Sequence, residues 1–457
     1  MSFHRLVMTS LLMGTVAFAG ACGDSGDDTD GNGGNGGGDG GGSSDGAGGE
    51  GGGAPTEEQT LEGELGSMTL TKDTKWTLKG VVSVPDGATL TIEAGTTIVG
   101  DKATLGTLVV QRGGKIDAQG TKDAPIVFTS ALPAGEREEG DWGGVVLLGR
   151  APINEAGGEA EVEGFQDPQL FGGDDANDSS GTLKYVRIEF GGIEIADGNE
   201  INGLTLGGVG KGTTIDFVQV KNTLDDCFEF FGGTVNASHL VCFRNGDDGF
   251  DFDSGYVGSL QFLFLAQDPS IADDANGLEC DNDADDPTVT PVTNPKISNI
   301  TLCGQNGDQP KQQYGFLFRR GFKATITNAL VTGFEAGVDF RDVPPTDVDV
   351  THSVIVGNTV ENVAYVEDAP ASDDGLPTED DDGMFDEIAW FTDGEGNTTD
   401  GPDMAGCFAA TPDGAPASTI AGGTPVGDGV DASATYVGAF KDASDKWMDG
   451  WTDFATE

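Results

Sequence analysis

A run of repeated segments in the middle of the chain constrains its fold more than any other feature. "TTIDFVQVKNTLDDCFEFFGG", "VNASHLVCFRNGDDGFDFDSG", "IADDANGLECDND", "KISNITLCGQNG…YGFLFRRG" and "ATITNALVTGFEAGVDFRD" align so that Cys227, Gly249, Gly277, Gly315 and Gly337 share one column, separated by 22, 28, 38 and 22 residues. The next column holds Phe228, Phe250, Leu278, Phe316 and Val338, and two residues on come Phe230, Phe252, Cys280, Phe318 and Phe340. Residues two apart on a strand share a face, so both columns point inward and stack as aromatic and aliphatic ladders. Upstream, "LTIEAGTTIVG", "LVVQRGGKIDAQG", "PIVFTS" and "GGVVLLG" alternate in the same way, with Gly, Asn and Asp closing the runs and no useful helical period. A period near 22 residues, with two or three short strands per turn and loops of variable length, predicts an all-β chain wound as a right-handed parallel β-helix. A propeller blade needs nearly twice that length.

The two ends carry different signals. "MSFHRLVMTSLLMGTVAFAGAC" places Arg5 ahead of an apolar stretch and small residues ahead of Cys22, which marks an export signal too short to span a membrane. "AGAC" resembles a bacterial lipobox, and that resemblance implies Cys22 as the lipidated first residue of the mature protein. Ala19 stands where the lipobox prefers Leu, and Ala19-Gly20-Ala21 also suits an ordinary signal peptidase, so a secreted or periplasmic protein is the alternative. Gly23 beside Cys22 favours the outer membrane. Residues 23–53 contain no apolar side chain except Ala47, cannot bury a core, and read as a disordered tether of about 30 Å. The expected organisation is a signal peptide at 1–21, a lipid-anchored Gly/Asp-rich linker at 22–58, the β-helix at 59–368, and an acidic loop with a C-terminal cap at 369–457. Trp390, Phe391, Trp447, Trp451 and Phe454 are the residues expected to close the open end of the solenoid.

Several longer motifs carry a family resemblance. "IVFTS", "GDWGGVVLLGRAPIN", "LKYVRIEFGG", "EINGLTLGGVGKGTTIDFVQV" and "FEFFGGTVNASHLV", with "YVGAFKDASDKWMDGWTDF" at the C-terminus, resemble segments of exported bacterial lipoproteins of the Bacteroidetes and leptospiral type. The resemblance implies a pectin-lyase-like β-helix and names no reaction.

With 78 acidic against 23 basic residues the chain carries a formal charge of −55. Phosphate contacts are opposed by that field, so nucleic acid is excluded as a partner, and an anionic polysaccharide is repelled unless a divalent cation bridges it. Within the repeat, Glu229, Asp251, Glu279, Leu317 and Asp339 form an outward column, while Asp226, Asp248 and Asn276 form another at the turn entering the strand. Rungs stack about 4.8 Å apart, and two carboxylates at that distance repel by about 1 kcal/mol in water and by more in a half-buried groove. Three readings meet that cost. The Asp-Asp doublets of "NTLDDCFEF" and "NGDDGFDF" are turn residues bonding their own backbone, with Arg319 and Arg341 offsetting the charge from later rungs. Alternatively Asp225, Asp226, Glu229, Asp247, Asp248, Asp251 and Glu279 hold Ca²⁺, which takes six to eight oxygen ligands with loose geometry. Thirdly, the doublets resemble the paired aspartates of polygalacturonase-type glycosidases, but Leu224 replaces that family's Asp and its Gly-His-Gly is absent. A calcium-dependent lyase using an arginine as base is a variant of this last reading.

Beyond Cys22 the chain has five cysteines, which permit at most two disulfides and leave one thiol; Cys280, in an inward column, reads as buried packing. His239 and His352 read as ordinary strand residues, and residues 367–387 as a solvated acidic loop. Together these features indicate a lipid-anchored surface protein of the outer membrane. It acts as a binding or structural module, stabilised by Ca²⁺, toward a polysaccharide or an envelope protein. A polysaccharide-active enzyme using the Asp225–Asp253 face is the alternative.

Overall fold

Alternating apolar residues dominate the chain, and each run is too short to bury its inner face alone, so the runs must stack. In the computed structural model, which describes residues 57–196, 199–268, 270, 275–307, 314–341, 347–358 and 385–456, they form one 23-stranded sheet whose pairings are all parallel. The export signal, Cys22, nearly all of the linker and residues 367–384 of the acidic insertion lie outside the described residues. The architecture is the parallel β-helix that the repeat predicts.

Each central turn contributes a short strand and a long one. The short strands Leu204–Gly207, Phe228–Phe231, Phe250–Asp253, Leu278–Cys280, Tyr314–Phe318 and Ala336–Phe340 stack in the register read from the sequence. Phe228 lies 5.3 Å from Phe250 and Phe230 lies 5.0 Å from Phe252, ring on ring, all four fully buried. The long strands Gly181–Glu189, Thr214–Lys221, Ala237–Phe243, Ser259–Ala266, Lys296–Cys303 and Ala324–Thr332 form the opposite flank. Each bends at one residue skipped by the pairing. These residues, Tyr185, Phe217, His239, Phe262, Asn299 and Asn328, continued by His352, have φ between 49° and 62°. Side chains other than Gly and Asn rarely adopt that left-handed region, so the corner is held by what stacks on it. Tyr185 on Phe217 (4.4 Å), Phe217 on His239 (4.1 Å) and His239 on Phe262 (4.9 Å) form a continuous external stack.

The "GDWGG" motif is structural. Asp141 is fully buried, pairs with Lys102 at 2.7 Å and accepts the Ser130 hydroxyl at 2.5 Å, while Trp142 donates its indole N–H to the Glu189 carbonyl at 2.8 Å. A Cβ on Gly143 would sit 2.0 Å from the Thr107 hydroxyl, so the close rung contact admits only glycine there.

The C-terminal aromatics divide into two groups. The helix Glu387–Asp393 buries Phe391 and sets Trp390 4.8 Å from Phe340, closing the end of the solenoid. Trp447, Trp451 and Phe454, expected at that same end, instead pack along the flank, where Trp451 meets Tyr185 and Phe217 edge-on and Phe454 meets Phe243. The aromatic stack of Tyr185, Phe217 and His239 gives Trp447 and Trp451 edge-on partners on the flank. Disulfides join Cys227 to Cys242 and Cys303 to Cys407, leaving Cys280 as a buried thiol.

Candidate functional site

The second aspartate of each doublet makes a rung-to-rung ladder. Asp226 accepts the backbone N–H of Asp248 at 2.7 Å, Asp248 accepts that of Asn276 at 2.7 Å, and the Asn276 side chain accepts that of Tyr314 at 3.0 Å. The expected turn role is therefore present in altered form, because each side chain bonds the backbone of the next rung rather than its own. A side chain 6% exposed (Asp226) or 3% exposed (Asp248) and committed to a backbone donor is a corner brace.

The remaining carboxylates gather in front of this ladder. Asp225, Asp226 and Asp247 each place one ligand oxygen within 4.8 Å of the others, and Asp226, Glu229 and Asp251 do the same, so the two groups share Asp226. Five of the seven residues expected to hold a cation thus come together. The other two are used elsewhere: Asp248 by the ladder, and Glu279 by Arg319, which also pairs with Asp281 at 2.9 Å. Arg320 pairs with Asp281, and Arg341 with Asp339 at 3.0 Å, so the later rungs carry the arginines expected to offset them.

The outward column is largely covered: Glu229, Leu317 and Asp339 are buried, and Asp251 and Glu279 are half-buried. Gly191 and Gly192 pack on the doublet loop: the Gly191 carbonyl accepts the N–H of Leu224 at 3.1 Å, and a Cβ on Gly192 would lie 2.3 Å from the Thr223 hydroxyl. The hairpin formed by Ile193–Ala196 and Asn199–Ile201 follows directly, and the Asn202 amide then donates to Glu229. Burial pushes the Asp225 carboxyl up to about 8, helped by the charges of Asp247, Glu200 and Glu163. Glu163 rises to about 7 through burial and Glu200, and Asp253 to about 6 through burial. Asp226, Glu229 and Asp251 are also raised, first by burial and then by neighbouring carboxylates: Asp225 and Asp248 on Asp226, Asp251 on Glu229, and Asp248 and Asp281 on Asp251. One oxygen of Asp251, Oδ1, is buried and accepts no hydrogen bond.

The model of the pectate-lyase-like β-helix domain family matches residues 63–452, which takes in every rung and this face. The chain belongs to that family. No curated protein matches this β-helix domain protein. Among solved structures it is similar to the Dettilon tailspike protein gp208, at 12% identity and a TM-score of 0.20 over 65% of this chain and 60% of that one. A likeness that slight carries no argument about function. The pectate-lyase-like fold itself is compatible with binding and with polysaccharide-active roles.

Glu163, Glu200 and Asn202 have no counterpart in the sequence reading, because they lie on loops outside the repeat and carry no period. His239 sits on the flank, stacked between Phe217 and Phe262 and bonded to Asp216 at 2.9 Å, as a packed strand residue.

The raised carboxyls fix the sign of a pH dependence. Their folded values lie above their unfolded ones, so the folded state binds more protons, and the stability they contribute is complete below about pH 4 and lost as pH rises toward 8. In chelator, thermal denaturation should therefore give a melting temperature that falls steadily from pH 4 to 8 and then levels. A flat or rising profile over that range contradicts the assignment.

Proposed function

We propose that this protein is an exported β-helix, anchored through Cys22 in the outer membrane and held out on its Gly/Asp-rich tether, whose acidic face is completed by calcium. It works as a binding or structural module for an envelope polysaccharide or protein. The observation that carries the cation is the pair of carboxylate groups sharing Asp226, within 4.8 Å, beside the Asp251 oxygen that accepts no hydrogen bond. The donors are all oxygens, which suits a hard cation, and neighbouring rungs bring three carboxylates together in each group, with the loose spacing that calcium accepts. Asp225, Asp226, Asp247, Glu229 and Asp251 would hold it. A bound cation also removes the repulsion that otherwise drives these carboxyls to accept protons.

Two features favour binding over catalysis. Asp226 and Asp248 each brace a backbone N–H through one oxygen, and in the proposed site the cation takes the rest of Asp226, so the pair is not placed as a free acid and base at a glycosidic bond. Glu229 is 6% exposed beneath a loop, whereas a polymer substrate needs an open cleft.

Calcium at about 100 times its dissociation constant should raise the melting temperature by about 3 °C, given the unfolding entropy of a chain this long. Asp225→Asn combined with Asp247→Asn should abolish that rise; indifference of the wild type to both calcium and chelator removes the cation. On a polysaccharide array with calcium present, the protein should retain ligand without releasing product, and release of shortened or unsaturated sugars would make it an enzyme. Labelled lipid should enter the wild type in cells and not Cys22→Ala, and equal labelling would disprove the anchor.

A further inference from the structure

The flank opposite the acidic face holds the C-terminal segment in an unusual way. Beyond the disulfide between Cys303 and Cys407, the chain runs back over the long strands as a strap, and from Phe408 to Thr456 it is held without covalent ties. At four places one flank side chain bonds both the N–H and the C=O of a single strap residue. Asn328 accepts from Gly423 N at 2.7 Å and donates to its carbonyl at 3.0 Å. Ser298 does so with Val426 at 2.8 and 3.1 Å. Gln261 does so with Asp431 at 2.6 and 3.2 Å, and Gln219 with Asp453 at 2.8 Å both ways. A fifth residue, Asp428, is gripped by two side chains, with its N–H on Ser259 at 2.9 Å and its C=O on Asn236 at 3.3 Å.

Donor and acceptor paired on one residue is what a neighbouring β-strand offers, and here side chains supply it from successive rungs. Such clamps read peptide groups and are blind to the strap's side chains at those positions. Selectivity comes from elsewhere: Trp451 and Phe440 are buried in a second apolar cluster, and Asp453 reaches the fully buried Lys221 at 2.7 Å.

We propose that this flank is a docking groove for a folded-back polypeptide segment, in which the Gly422 N–H bonds the Thr435 carbonyl and the Val437 N–H the Ile420 carbonyl, and that it accepts the C-terminal strap of a second copy of the chain in place of its own. That segment brings Phe440, Trp451 and Asp453 to the groove, and every copy of the chain carries it. Apart from the tether at Cys407, the bonds named above depend on the strap's own residues and peptide groups, which are the same in another copy.

The test uses the full chain with a protease site inserted between the exposed residues Ala410 and Thr411, cut after folding. One preparation is isotopically heavy; the other is light and carries an affinity tag on its β-helix portion. After mixing, mass spectrometry of the tagged fraction should find heavy strap on light β-helix, with no strap lost at cutting. Gln261→Leu with Asn328→Leu should speed the exchange about 10-fold or more, since each removes a pair of bonds. If that double change alters the circular dichroism, Asn328→Leu alone gives the comparison. Release of the strap on cutting, a strap that stays and never mixes, or an exchange rate indifferent to Asn328 each overturns the proposal.

Discussion

Parallel stacking at one rung spacing is the constraint on which the rest of the molecule depends. Because every strand of the 23-stranded sheet pairs in parallel with strands of neighbouring turns, each of its side chains faces the matching position of the next turn. Like therefore meets like along the whole axis. Phenylalanine gains from this arrangement, since offset rings add an attraction beyond the surface they bury, and the Phe228–Phe250 and Phe230–Phe252 pairs use it. Even the strained left-handed corners persist because Tyr185, Phe217, His239 and Phe262 repeat there and hold one another.

Carboxylates lose from the same rule, and the acidic column is resolved by three separate devices. At the corner, Asp226 and Asp248 escape mutual repulsion by each accepting a backbone N–H from the following rung. On later rungs, Arg319, Arg320 and Arg341 lie among Glu279, Asp281 and Asp339, which exchanges repulsion for attraction. Between those two regions, burial raises the Asp225, Glu229 and Asp251 carboxyls, as it does the braced Asp226. The proposed cation would act there, on the rungs Phe228–Phe231 and Phe250–Asp253, ahead of the one that carries Arg319.

What could be read in the sequence follows from the same stacking. A column of identical residue types is a periodic signal, so the inward ladders, the Glu229–Asp251–Glu279–Leu317–Asp339 register and the arginine partners were legible without coordinates. Contacts with no period were not. Lys221 and Asp453 are separated by 232 residues and meet because a strap folds back, a path that nothing in "WMDGWTDF" encodes. The aromatic residues of that segment look alike in sequence whether they close an end or cover a flank, which is why Trp390 and Trp451 were expected together and lie apart. Glu163 and Glu200, on loops inserted between rungs, were hidden for the same reason.

The two sides of the solenoid also differ in what holds their covering segments. Over the acidic face, loops of the same turns close on carboxylates and leave buried charge that the loops themselves cannot neutralise. On the flank, a distant segment is gripped through its peptide groups and packed through Trp451, and Asp453 pairs with Lys221, so removing it would leave that ammonium with the Glu189 carboxylate at 3.9 Å and uncover an apolar stripe. The strap neutralises a group that stacking placed where the core could not, whereas the loops over the acidic face bring Glu163 and Glu200 and add to its charge. A rigid parallel shaft obtains its length from repetition, and the non-repeating strap corrects a charge and a surface that repetition leaves unmatched.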